Sequence, residues 1–202
     1  MAAIGEFWRL FEECRQGLAA AESADDPAYE ALLARLHTIE PGLYLEFYSE
    51  PGDCELVVTA DGDRSLFPIA RELVAAAPPM PGWTIRALKP KLGFPTTVSW
   101  DDLTIRIEDV VFAPIEREGG FGLSIFVPRI EADEFDNAHN AILRALDHGL
   151  GEERLAEAVQ HTEVHHLPEE AEPGDFIPLV ELEGFLDWRE GRGEAPPAPE
   201  QN

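Results

Sequence analysis

The sequence predicts an α+β protein, a mostly antiparallel sheet with helices packed on it and a helical N-terminus. Three observations predict this class. Before Pro41 the apolar residues recur at helical spacing. From Leu43 the period drops from 3.6 to 2. Beyond that point, short alternating runs joined by tight turns outnumber the regular strand–helix–strand rhythm of a doubly wound sheet.

Ile4, Phe7, Trp8, Phe11, Cys14 and Leu18 make one helical stripe, with Glu12, Glu13 and Arg15 elsewhere on the surface. Asp25-Asp26-Pro27 then starts a second helix, Asp26 as the cap and Pro27 in the first turn. Leu32, Leu33, Leu36 and Ile39 carry its apolar face until Pro41-Gly42. Residues 43–48 and 54–60 read as two strands joined through Pro51-Gly52-Asp53. Asp61-Gly62-Asp63 is a turn, Ser65 a helix cap, and Leu66, Ile69, Ala70, Leu73 and Val74 the next helical stripe. Strands are expected over 83–88, 96–100 and 121–127, with extended chain over 103–117 and a hairpin at Glu118-Gly119-Gly120. Asp136 caps a fourth helix that closes near Gly149, and residues 151–159 form a fifth. A late strand over 162–167 and a short helix around Leu182, Phe185, Leu186 and Trp188 complete one domain over residues 1–188. No internal repeat is visible, and residues 189–202, rich in Pro and poor in apolar groups, read as a disordered tail.

The charge excludes several function classes. With 40 Asp and Glu against 15 Lys and Arg in 202 residues, the formal charge is −25. Phosphate backbones and anionic membranes attract clustered cations, so neither nucleic acid nor membrane is an expected partner. An apolar content of 45% is too high for a wholly disordered chain. A chain of this length buries roughly 70% of its unfolded surface without a metal or disulfide staple. The two cysteines, Cys14 and Cys54, sit in apolar patterns outside any CxxC and read as buried thiols. No signal peptide and no long apolar run is visible, so a cytoplasmic location is expected.

Few residues carry a chemical signal. Asp61, Asp63, Ser65 and Glu72 occupy positions 1, 3, 5 and 12 of a calcium loop, yet position 6, which needs glycine, is Leu66. An ordinary turn is therefore expected there. His161, Glu163 and His165 would share one face of a strand and could converge on a divalent cation, with His166 beside them and His139 and His148 available from elsewhere. The spacing matches no established zinc motif, and hydrogen-bonded or solvated histidines are expected, with no metal and no cofactor. No phosphate-binding glycine pattern, serine elbow or dinucleotide fingerprint appears. Arg86, Lys89 and Lys91 are more unusual, because they include both lysines of a strongly acidic chain within six positions. They are candidate binding residues for a carboxylate or phosphate, against the simpler reading of a charged strand edge helped by Pro90.

The runs LYLEF, ELVVTADGDRSLFPIARELVAAAPPMPGW and TIRALKPK, with LDHGLGEERLAEAV and DFIPLVELEGFLDW downstream, resemble an uncharacterised family of small bacterial cytoplasmic proteins. The resemblance covers most of residues 1–188 and implies no catalytic residue. More loosely, the helix–sheet–helix layout and the acidity are similar to secretion-chaperone and toxin-immunity proteins.

The expected function is that of a non-enzymatic acidic interaction protein, chaperone-like or immunity-like, binding a basic protein partner steered by its charge. Acidity that merely keeps the chain dissolved is the plainer account. The Glu169, Glu170, Glu172 and Asp175 carboxylates flank an apolar group, Phe176, Ile177, Leu179 and Val180, that would centre the contact or dock on the protein's own core. The alternative is a small-molecule-binding protein or enzyme with a pocket near Arg86, Lys89 and Lys91 or near His161 and His165. Catalysis and homodimer formation both stay open.

Overall fold

The computed structural model describes residues 2–18, 26–50, 53–118, 120–131, 133–170 and 174–193. Within the span read as one domain the chain divides into two compact units, Met1–Pro90 and Lys91–Asn202. The α+β class holds, and the sheets are mixed rather than purely antiparallel.

In the first unit, helix α1 (Ala2–Leu18) buries Ile4, Phe7, Trp8, Phe11 and Leu18, the stripe written in its sequence. Helix α2 (Pro27–His37) starts as its residues dictate, since Asp26 Oδ1 accepts the Ala28 N–H at 2.7 Å and Pro27 takes the first turn. Strands β1 (Tyr44–Glu50) and β2 (Asp53–Thr59) pair antiparallel; residues 51 and 52 of the expected turn lie outside the described residues. Helix α3 (Phe67–Ala75) then carries the chain over to β3 (Trp83–Ala87), which lies parallel to β2. Parallel neighbours need such a crossover, and a hairpin reading of this stretch misses it. Leu45, Phe47, Leu56, Val58, Trp83 and Ile85 share the face toward the helices. There Phe11 meets Trp83 edge-on at 4.9 Å between ring centroids, and the Trp8 indole N–H donates to the Leu73 carbonyl at 2.9 Å. The opposite face carries Tyr44, Glu46 and Tyr48 on β1, Glu55 on β2 and Arg86 on β3.

The second unit opens with a hairpin, β4 (Thr97–Trp100) and β5 (Leu103–Arg106), followed by a short 3-10 turn at 107–109. Strands β6 (Val111–Arg117) and β7 (Gly120–Val127) pair antiparallel, as the glycines at their junction predict, although residue 119 lies outside the described set. Helices α4 (Phe135–Leu150) and α5 (Glu152–Ala158) lead to β8 (His161–His166), parallel to β7. Strand β9 (Ile177–Pro178) joins the other side of β6, giving the order β8-β7-β6-β9, and helix α6 (Leu182–Arg189) follows. The core sets Phe112, Leu123 and Ile125 of the sheet against Ile142, Leu146 and Leu182. Each unit thus repeats one connectivity, an antiparallel strand pair followed by helix and a strand parallel to the second of the pair. Sequence shows no trace of this repeat because the matching elements share topology and not residues.

Several local expectations are corrected. Ser65 is not the α3 cap: its N–H and hydroxyl both donate to Asp63 Oδ1, at 2.9 and 2.7 Å, and the helix begins two residues later. Asp136 lies within the first turn of α4, where a carboxylate still favours the helix dipole. Helix α4 closes near Gly149 as expected, its last residue being Leu150 and its C-cap Gly151, with φ of 79°. The apolar group at 176–180 docks on its own unit, since Leu179 is fully buried, Ile177 packs on the core and Phe176 lies 4.4 Å from Phe126 between ring centroids. Of that group Val180 is the large exposed side chain. Residues 189–193 end α6 and follow it, with Arg192 donating to Asp187 at 3.1 Å. The remainder of the expected tail, 194–202, lies outside the described residues, as does Glu172. No described helix is long and apolar enough to cross a membrane.

The glycines give a test of this packing. A Cβ at Gly149 would overlap the Phe94 ring, whereas one at Gly5 or Gly184 meets nothing within 4 Å. Gly149→Ala is expected to destabilise by about 1–3 kcal/mol through overpacking. Gly5→Ala and Gly184→Ala should instead stabilise by up to about 1 kcal/mol through helix propensity. Thermal or urea unfolding of the three variants checks the opposite signs.

Candidate functional site

The basic candidates are divided between the units. Arg86 projects from β3 on the face opposite the helices and is paired to Glu55 of the neighbouring strand. Lys89 follows Leu88, whose N–H extends the β2–β3 ladder by one bond to Val58 at 2.9 Å. Its ammonium lies 3.1 Å from Asp61 Oδ1 and 3.5 Å from Glu46 Oε1, with its side chain only 14% exposed. Arg86 and Lys89 therefore meet carboxylates on or beside one sheet face. Lys91 opens the second unit and pairs with Glu183 of α6 at 2.5 Å. Each of the three is held by a carboxylate of its own unit, so an incoming anion would have to displace that partner.

The Asp61–Glu72 stretch is built as a turn. Asp61 adopts φ of 48° and bonds Lys89, while Asp63 holds the Ser65 amide and hydroxyl. Those two bonds keep the Asp63 carboxyl below the usual range. Glu72 stands on α3. Among the described residues no group of three or more His, Cys, Asp or Glu is arranged to hold a metal ion.

On β8, alternation puts His161, Glu163 and His165 on one face beside Gly122, Ser124 and Phe126 of β7. Glu163 is taken by Arg117 of β6 at 2.6 Å, and His165 Nε2 lies 3.5 Å from its other oxygen. The His165 ring rests on Phe126, 5.4 Å between centroids. His161 Nε2 is buried without a hydrogen-bond partner among the described residues. His166 alternates to the other face, and His139 and His148 stand on α4, which packs against the Leu123 and Ile125 side of the sheet. The histidines are thus a strand face with one ion pair through it. Both cysteines are half-buried thiols, and burial pushes the Cys14 thiol up.

An open groove of about 510 Å³ lies in the second unit, and none of Arg86, Lys89, Lys91, His161 or His165 lines it. It is lined by the whole of β5, Leu103 to Arg106, by Asp109 of the 3-10 turn, by Pro128 to Ile130 after β7 and by Leu167 after β8. Sequence reading misses it because three separate strand ends compose it. The one local signal is Pro128, a breaker directly after the clear β7 run.

If the basic residues serve the fold, removing them costs stability in proportion to burial. Lys89→Gln should cost about 1 kcal/mol by leaving Glu46 and Asp61 facing each other, and Lys91→Gln, at a half-exposed pair, less than about 0.5 kcal/mol. Chemical denaturation measures both. Stabilisation of the parent chain by millimolar phosphate beyond an ionic-strength control, lost in Lys89→Gln, would instead mark an anion site.

No family model matches the sequence, and no curated protein matches it.

Proposed function

We propose that this chain is a non-enzymatic interaction protein that recognises a basic protein partner through its acidic surface, in a role resembling that of chaperone or immunity proteins. The observation that carries the reading is how the cations are used. Arg35, Arg86, Lys89, Lys91, Arg106, Arg117, Arg154, Arg189 and Arg192 are each paired with carboxylates of their own unit. The surplus of acids is left without internal neutralisation. It is concentrated in residues 91–202, where 25 Asp and Glu face 8 Lys and Arg, a formal −17. Such a field steers a cationic partner and raises its encounter rate by 10- to 1,000-fold. The same pairing weighs against the small-molecule or enzyme alternative at its basic candidates, because Arg86, Lys89 and Lys91 are each already engaged by a carboxylate.

Capture of a partner from the source cell, followed by stopped-flow kinetics, tests the proposal. The association rate is expected to fall steeply as the Debye length shrinks from about 30 Å at 0.01 M to about 8 Å at 0.15 M salt. Dissociation should change much less. Neutralising Glu169, Glu170 and Asp175 together, which are exposed, should slow association while leaving thermal unfolding unchanged. An association rate indifferent to salt, or no captured partner, contradicts the proposal.

A further inference from the structure

The groove beside β5 has three features that converge on one kind of occupant. The first is an open strand edge. Strands β4 and β5 form a two-stranded sheet joined by the two residues Asp101-Asp102, with Trp100 opposite Leu103. In a two-residue hairpin the residues flanking the turn exchange both backbone bonds, and the next pair does not. Trp100 and Leu103, then Val98 and Ile105, bond across the hairpin. The N–H and C=O of Thr104 consequently point away from β4, along the free edge of β5, a strand whose four residues all line the groove, and neither bonds elsewhere in the described chain. The second feature is apolar lining from Leu103, Ile130 and Leu167. The third is Arg129, which also lines the groove, exposed and in a left-handed backbone with φ of 58°. In a unit with 25 acids it makes no ion pair with any described residue. The groove's other arginine, Arg106, is already held by Glu108 and by Asp109, the one carboxylate among the groove's described lining residues.

We infer that this groove binds the C-terminal segment of a polypeptide in extended form. The segment adds as a strand to β5, exchanging backbone bonds with Thr104. Its alternate side chains rest on Leu103, Ile130 and Leu167, and its terminal carboxylate meets the Arg129 guanidinium. Strand addition takes affinity from the main chain and specificity from side-chain pockets and a terminal anchor. A four-residue edge, about 13 Å long at 3.3 Å per residue, accommodates a segment of about four residues. The inference rests on the reading of this chain as an interaction protein and supplies the element of the partner that it recognises: distributed acidity brings a basic partner close, and Arg129 reads the end of its chain.

The test uses the full chain and two peptide pools, acetylated pentapeptides with free C-terminal carboxylates and the same pool amidated. The tightest binder of the acid pool should lose at least about tenfold in affinity on amidation, the loss expected when a charged hydrogen bond is removed. Arg129→Gln should erase that difference and Arg129→Lys retain most of it. Thr104→Pro, which removes an N–H not used by the hairpin, should abolish binding of the acid-pool peptide. Amide resonances of residues 103–106 and 129–130 should shift with the peptide. Equal affinity of acid and amide forms overturns the inference, as does indifference to Arg129→Gln or the absence of any binder at millimolar concentration. Self-association through β5, dispersed by Thr104→Pro with no peptide bound, overturns it as well. Should a captured partner still associate in a salt-dependent way in these variants, the groove assignment alone fails and the acidic-partner reading stands.

Discussion

The constraint on which the rest depends is the parallel return of the last strand in each unit. A strand can lie parallel to its predecessor only if the chain crosses back over the sheet, and here helices make that crossing on one face. That face becomes the core. In the first unit it takes Phe47, Leu56 and Trp83 against the aromatic stripe of α1; in the second it takes Leu123 and Ile125 against α4. The charged side chains of the sheets stand mainly on the other face. Glu46, Glu55 and Arg86 stand there in the first unit, and His161, Glu163 and His165 in the second. Arg86, His161 and His165 therefore stand on the face that the crossover leaves away from the helices, and their position needs no catalytic explanation.

Electrostatics extends the argument. A chain with 40 acids and 15 bases cannot neutralise itself. Some of its cations also join elements. Arg154 of α5 reaches Glu190 at 2.7 Å and Asp187 at 3.1 Å, tying α5 to the end of α6. Hydrogen bonds from Arg154 hold the Glu190 carboxyl below its usual range. Arg189 lies over the Phe121 ring at 4.4 Å and pairs with Glu116, joining α6 to the sheet. Exposed pairs of this kind contribute at most about 1 kcal/mol each. Their larger consequence is the surplus of unmatched carboxylates they leave behind. Arg129, like Arg144 of the same unit, has no ionic partner among the described residues, and of the two it is Arg129 that lines the groove.

What was legible in the sequence follows from what is local. The α1 stripe, the Asp26-Pro27 start of α2, the alternation of Leu56 and Val58 and the glycines before Phe121 each act over a few residues, and the elements appear where they place them. Ser65 and Asp136 misled because Ser and Asp serve turns and first helical turns as readily as caps. The parallel joins were not legible, since parallel and antiparallel neighbours need the same alternating side chains in a half-covered sheet. The proximity of Arg86, Lys89 and Lys91 in sequence suggested one basic spot, yet the unit boundary passes between Lys89 and Lys91. The groove left no pattern because its lining comes from β5 and Asp109 and from the residues that follow β7 and β8, far apart in the chain.

The most direct test of the account is a hydrogen–deuterium exchange footprint of a bound partner on the full chain. The account predicts slowed exchange within the acidic second unit, centred on residues 103–106 and 128–130, with Trp83–Ala87 and His161–His166 unchanged. Protection confined to Trp83–Ala87 or to His161–His166, the sites of the small-molecule reading, would contradict it.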